Sequence, residues 1–209
     1  MSNRDSERSS GKRGRPRAAD ARRAGDTAAE EILDAAAELF SSRGYAATST
    51  RAIAEAVGIR QASLYHYFAT KDLILSALLE STVQGPLAMA REIAASGRDP
   101  LDALLTLARS DAGQLLSSTF NVGALYHLPE VSGEAFAAFR ADRTELAQHY
   151  HRLAAGVIGD ATDPRAHLPL RLVEAVIGLR SDGTVGPEDP QRNSQMVDAI
   201  CAGIAKVVR

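Results

Sequence analysis

The chain has no tryptophan and a single cysteine, Cys201. One thiol excludes an intrachain disulfide and suits a reducing compartment, so a cytoplasmic location is expected. There is no run of 18 consecutive apolar residues, and no membrane span is expected. The N-terminal stretch is charged but lacks the apolar core of a secretory signal. Strand-like alternation and internal repeats are both wanting. So are a phosphate-cradling glycine loop, a nucleophile motif and a prominent carboxylate pair; the chain supports no enzymatic reading and implies no cofactor. His149 and His151 invite a metal, but helix positions i and i+2 diverge by about 200°, so one ion cannot take both.

What is present is a chain of 209 residues, 45% hydrophobic and 24% charged, enough for a real core. The net charge of −2 is unevenly placed. Residues 1–25 hold eight basic residues against three acidic ones, a surplus of five positive charges, so the remainder carries −7. This segment is rich in Ser, Gly, Arg and Pro without apolar periodicity and is expected to be a disordered basic arm. Within it, "KRGRPR", with Arg13, Arg15 and Arg17, resembles an AT-hook core, which lies in a narrow minor groove; a solvated tail is the alternative.

From residue 26 onward the pattern is helical. Asp26 or Thr27 suits an N-cap, and Ile32, Leu33, Ala36 and Phe40 recur at helical spacing beside an acidic stripe of Glu30, Asp34 and Glu38. Gly44 ends this helix. Thr48, Ser49 or Thr50 caps a short helix with Ile53, Ala54 and Val57 inward, and Gly58 supplies a turn. A second short helix is expected from Gln61 to Phe68. Thr70 caps the next, which Gly85-Pro86 should kink or interrupt. Further helices are expected from Pro100, over 133–157, over 164–179 and over 191–208, with a loop at 181–190. The expected fold is all-α, about nine helices.

Three of the chain's ten Tyr and Phe residues fall within positions 65–68. Tyr65, His66 and Tyr67 are consecutive, and consecutive helical residues point about 100° apart, so they cannot share one buried face. A helix-turn-helix explains them: Ile53, Val57 and Leu64 lock two short helices around the small Ala54, and the second presents polar side chains to DNA. The surrounding tyrosine hydroxyls can reach phosphates, and the N-terminus at Thr70 and Lys71 favours one too.

"GYAATSTRAIAEAVGIRQASLYHYFATKDLI", Gly44 to Ile74, resembles the DNA-binding signature of the tetracycline-repressor (TetR) family. The marks are Gly44-Tyr45, Thr48-Ser49, Ile53-Ala54, Val57-Gly58, Leu64-Tyr65, Phe68 and Lys71-Asp72-Leu73. The resemblance implies a homodimer that binds double-stranded DNA through residues 26–72, with 73–209 as a ligand-binding and dimerisation domain. It implies base or near-base contacts from Arg51, Gln61 and Ser63, and phosphate contacts from Thr50, Tyr65, Tyr67 and Lys71. His66 stands where the family often has an aromatic that touches DNA. Arg60 departs from the pattern: many members have a capping Ser there, so a cap is lost and a basic side chain gained at the DNA surface.

The expected function is that of a repressor released from a pseudo-palindromic operator when an unidentified small molecule shifts the dimer's population. The alternative is a structural DNA-binding protein that needs no effector. The expected effector pocket is mostly apolar with few inward charges, anchored by Asn121, Tyr126, His127 and Tyr150. Dimerisation is expected through two apolar runs, Leu168, Leu172, Val176 and Leu179, and Met196, Ile200, Ile204 and Val208, which lack partners within one chain.

Overall fold

The computed structural model describes residues 24–209; the basic arm, with Arg13, Arg15 and Arg17, lies outside the described residues except for its last two positions. Among the described residues are eight α-helices and four 3-10 segments, and no strand. The helices are α1 (Ala28–Arg43), α2 (Thr50–Val57), α3 (Gln61–Leu64), α4 (Lys71–Ser96), α5 (Pro100–Ser117), α6 (Ala137–Ile158), α7 (Leu168–Ser181) and α8 (Pro190–Val208).

Local chemistry sets most helix starts. Thr27 and Glu30 close a capping box on α1, while Ser49, Thr70 and Asp99 each accept backbone N–H groups at the starts of α2, α4 and α5. Pro100 and Pro190 occupy first turns, where the missing N–H costs nothing. Gly58, at φ 79°, takes the left-handed conformation that ends α2 and sets the turn into α3.

The elements divide as the burial pattern requires. Ile32, Ala36 and Phe40 of α1, Ile53 of α2, Leu64 of α3 and Ile74 of α4 join one interior at the N-terminal end. Beyond it, α4 packs on α6 and α5 on α6, α7 and α8. Leu79, Leu87, Leu104, Leu107, Phe139 and Val173 are buried there, each contributing about 1.5–3 kcal/mol of apolar burial. α4 is long and apolar enough to cross a membrane by length and composition alone. It serves as the central helix of this core, with Ile74, Leu75, Leu79, Val83 and Leu87 covered by its neighbours.

Several expectations change. The second helix of the pair is a single α-helical turn, Gln61–Leu64; residues 65–67 continue as a tightened turn whose N–H groups reach back to Gln61, Ser63 and Leu64. Gly85-Pro86 does not interrupt α4. Pro86 cannot donate to the carbonyl of Thr82, and the Gln114 side-chain amide of α5 does so instead, at 2.9 Å. Gly85 makes room: a Cβ there would stand 2.9 Å from Gln114 Oε1. The acidic stripe of α1 makes local contacts. Glu30 accepts from the N–H groups of Asp26 and Thr27, and Asp34 and Glu38 are half-buried and engaged.

The two C-terminal apolar runs are split. Val176, Ile200, Ile204 and Val208 are buried against the chain's own core, because α5 covers the inner faces of α7 and α8. Leu168, Leu172, Leu179 and Met196 stay exposed or half-buried on the outer faces. The stretch between α5 and α6 consists of 3-10 segments Val122–His127, Pro129–Ser132 and Glu134–Phe136, punctuated by Pro129 and Gly133.

Candidate nucleic-acid interface

The scaffold of the site is a set of contacts around Tyr45. Its ring stacks against Phe40 with centroids 5.1 Å apart, and its hydroxyl donates to Asp72 at the start of α4. Burial, followed by that bond and the negative charge of Asp72, raises the phenol well above its ordinary range. Lys71 Nζ lies 4.0 Å over the Tyr45 ring and donates to the carbonyls of Tyr45 and Thr48, at 2.9 and 3.0 Å. Thr48 is buried and donates to the carbonyls of Leu39 and Gly44. The α1–α2 loop is thereby fastened to the start of α4, fixing where α2 and α3 stand.

On the outer surface, Thr50, Gln61 and Tyr65 form a hydrogen-bonded triangle. Gln61 Nε2 donates to Thr50 Oγ1 at 3.0 Å and to the Tyr65 hydroxyl at 3.3 Å, and the two hydroxyls are 3.1 Å apart. Thr50 opens α2 and the other two belong to α3 and its following turn, so the triangle sets the angle between the helices. Tyr65 and Tyr67 remain 46% and 51% exposed, too wet to be core packing. His66 and Arg60 are exposed as well, and Ser63 is half-buried. Arg51 pairs with Glu55 at 2.8 Å in full solvent, an interaction of little energetic weight. Arg60 occupies the cap position of α3 and makes no side-chain cap bond. Lys71 is the one member of the set already committed inward; two of its three donors serve the loop.

The four expected effector anchors do not converge. Asn121 donates to Ile177 O and Ser181 Oγ. Tyr126 and His127 border a cavity of about 510 Å³ between α6, α7 and residues 126–132, and the Tyr126 hydroxyl meets Thr82 Oγ1 at 2.5 Å. Tyr150 is buried and donates to Asp111 at 2.9 Å. The expectation of few inward charges also fails. Asp111 is buried, and desolvation pushes its carboxyl up to about 7 against the opposing Tyr150 bond. Arg143 and Glu174 pair at 2.5 Å, beside a small recess that Asp111 and Tyr126 also line. A sequence signal existed: Arg140 and Arg143, three apart, share a face of α6 with the buried Phe139 and Leu146 beside them.

Residues 32–78 match the family profile of bacterial regulatory proteins of the tetR family. Over 79 residues the chain is 44% identical to the HTH-type transcriptional repressor KstR2 of Rhodococcus jostii (strain RHA1), a match spanning 36% of this chain and 39% of that protein's length. The crystal structure of Mycobacterium smegmatis AmtR superposes with a TM-score of 0.78 at 46% identity, covering 90% of this chain and 96% of that one. AibR, solved in complex with isovaleryl coenzyme A and operator DNA, shares the fold with a TM-score of 0.66 at 20% identity, over 84% of this chain and 97% of that one.

Proposed function

We propose that this chain, which belongs to the tetR family of bacterial regulatory proteins, is a cytoplasmic transcriptional repressor released from a pseudo-palindromic operator by a small molecule. The observation that carries the reading is the exposed Thr50–Gln61–Tyr65 triangle, which joins the start of α2 to the short α3 and its following turn. Such a helix, its polar residues held in place before contact, suits the major groove. Residues 26–72 are the DNA-binding unit and 73–209 the regulatory one. Arg51, Gln61, Ser63 and Arg60 face base edges or adjacent phosphates, Thr50, Tyr65, His66 and Tyr67 the backbone, and Lys71 offers its third donor. The arm adds Arg13, Arg15 and Arg17 to the phosphate attraction.

The active species is a homodimer. The outer faces of α7 and α8 leave Leu168, Leu172, Leu179 and Met196 incompletely covered beside the small Ala175 and Ala199, which supports close pairing with a second copy. Effector control is supported by the cavity at Tyr126 and by the fold shared with AibR, which was solved with both a coenzyme A thioester and operator DNA. Fluorescence anisotropy on a DNA site selected from random sequence provides the test. Gln61→Ala should weaken the selected site by roughly 1–3 kcal/mol and spare random DNA. Equal losses on both, or a monomer at micromolar concentration in analytical ultracentrifugation, would count against the reading.

A further inference from the structure

The cavity at Tyr126, about 510 Å³, falls in the size range of small-molecule sites. Its walls differ in chemistry. Phe139, Ala147 and Leu170 supply an apolar side; Arg140, Arg143 and Arg171 supply a cationic one, and no Asp or Glu is among its lining residues.

These cations are under-compensated. Glu174, behind the wall, accepts from Arg143 Nη2 at 2.5 Å and from Arg171 Nη1 at 2.5 Å, so one carboxylate serves two guanidiniums. Arg140 spends Nη1 on neutral carbonyls, those of Val131 and Gly133, at 2.7 and 2.6 Å. Arg143 Nε is buried and has no partner among the described residues. A charged group's donor left unmade in the interior is costly, and an anionic acceptor repays most for it. Asp111 does not fill the role: it is bound by Tyr150, and burial favours its neutral form.

We infer that this cavity takes an organic monocarboxylate, its head group accepting from Arg143 Nε and its apolar body lying on Phe139, Ala147 and Leu170. Arg171 is 62% exposed and screened by water, so Arg140 and Arg143 set against Glu174 leave one sheltered positive charge; with one open buried donor, this matches a single negative charge better than the double charge of a phosphate ester. Binding stands on the cavity alone; its regulatory meaning rests on the repressor reading above.

The test is calorimetric titration of the full chain with octanoate, octanamide and octyl phosphate. Octanoate should bind, and octanamide should bind at least about tenfold more weakly, the loss typical of a charge-assisted bond. Arg143→Gln should lower octanoate affinity by a similar factor. Glu174→Gln should raise it, because the internal competitor for Arg143 is removed; this sign would not arise from general damage. Ala147→Leu should block binding by filling the apolar side. Octanamide binding as well as octanoate, octyl phosphate binding more tightly, indifference to Ala147→Leu, or no octanoate binding at millimolar concentration would each overturn the inference. Anisotropy with the selected DNA is a separate arm. Octanoate that binds yet leaves DNA affinity unchanged upholds the site and sinks its coupling to repression.

Discussion

Lys71 donates to the backbone carbonyls of both Tyr45 and Thr48 while standing over the Tyr45 ring. A lysine at the start of a helix on a DNA-facing surface invites a purely electrostatic account, yet this one is a fastener for the α1–α2 loop. Lys71→Met is therefore expected to lower folding stability by about 1–2 kcal/mol, through two lost charge-assisted bonds at a half-buried position. Chemical denaturation measures that. If instead the mutation leaves stability unchanged and only reduces the salt dependence of DNA binding by about one counterion, the ammonium acts through phosphate alone.

Arg60 stands at the cap of α3 with extended backbone angles and no side-chain cap bond. Arg60→Ser should stabilise the protein by about 0.5–1 kcal/mol by supplying the absent acceptor. The same change should weaken DNA binding and flatten its salt dependence. A stability gain with unaltered DNA affinity would remove Arg60 from the interface.

Gln114 replaces the hydrogen bond that Pro86 cannot make, so Gln114→Ala should leave the half-buried Thr82 O without this donor and cost about 1 kcal/mol. Pro86→Ala restores an intrahelical N–H. In the double variant Gln114→Ala should cost much less, and urea denaturation of the four proteins reads the coupling. Additive losses would show that Gln114 acts by packing only.

Asp111 makes stability depend on pH. Its carboxyl is raised by burial to about 7 in the fold, against 3.8 as the reference. The neutral form is thus favoured by the folded state, and its contribution is fully present below about pH 4 and lost as pH rises through 7. His149 works in the opposite sense, since burial and then Arg152 lower it, so its contribution is lost as pH falls below 6.5. Comparison with Asp111→Asn isolates the carboxyl: the variant should gain on the parent by roughly 1–3 kcal/mol between pH 5 and 8. A constant difference across that range would mean that Asp111 stays ionised in the fold.

Those features of the sequence that act within a few residues were legible. Thr27, Ser49 and Thr70 announce helix starts because a cap bonds only to its own first turn. The Ile53–Val57–Leu64 lock was equally local. Periodicity marks a face without saying what covers it, which is why the pattern offers Ile200 and Ile204 to a partner copy although α5 covers them. Gly85-Pro86 signals a kink or an interruption because the donor that carries α4 through comes from Gln114, 28 positions from Pro86. The effector side suffered most. Asn121, Tyr126 and Tyr150 look alike as polar residues among leucines, and only the tertiary arrangement sends them to different places and sets Arg143 beside Glu174.

The Gln114 bond also bears on the order of assembly. Helix growth ordinarily proceeds on local hydrogen bonds within fractions of a microsecond. At Thr82 that growth loses its usual donor four residues on, because Pro86 has no N–H, and the Gln114 amide of α5 supplies a replacement. The two halves of α4 are therefore expected to become one continuous rod only when α5 docks. Its longest helix would then be a late product of tertiary collapse, with Gln114→Ala slowing the final folding step and leaving the earlier formation of helical turns untouched.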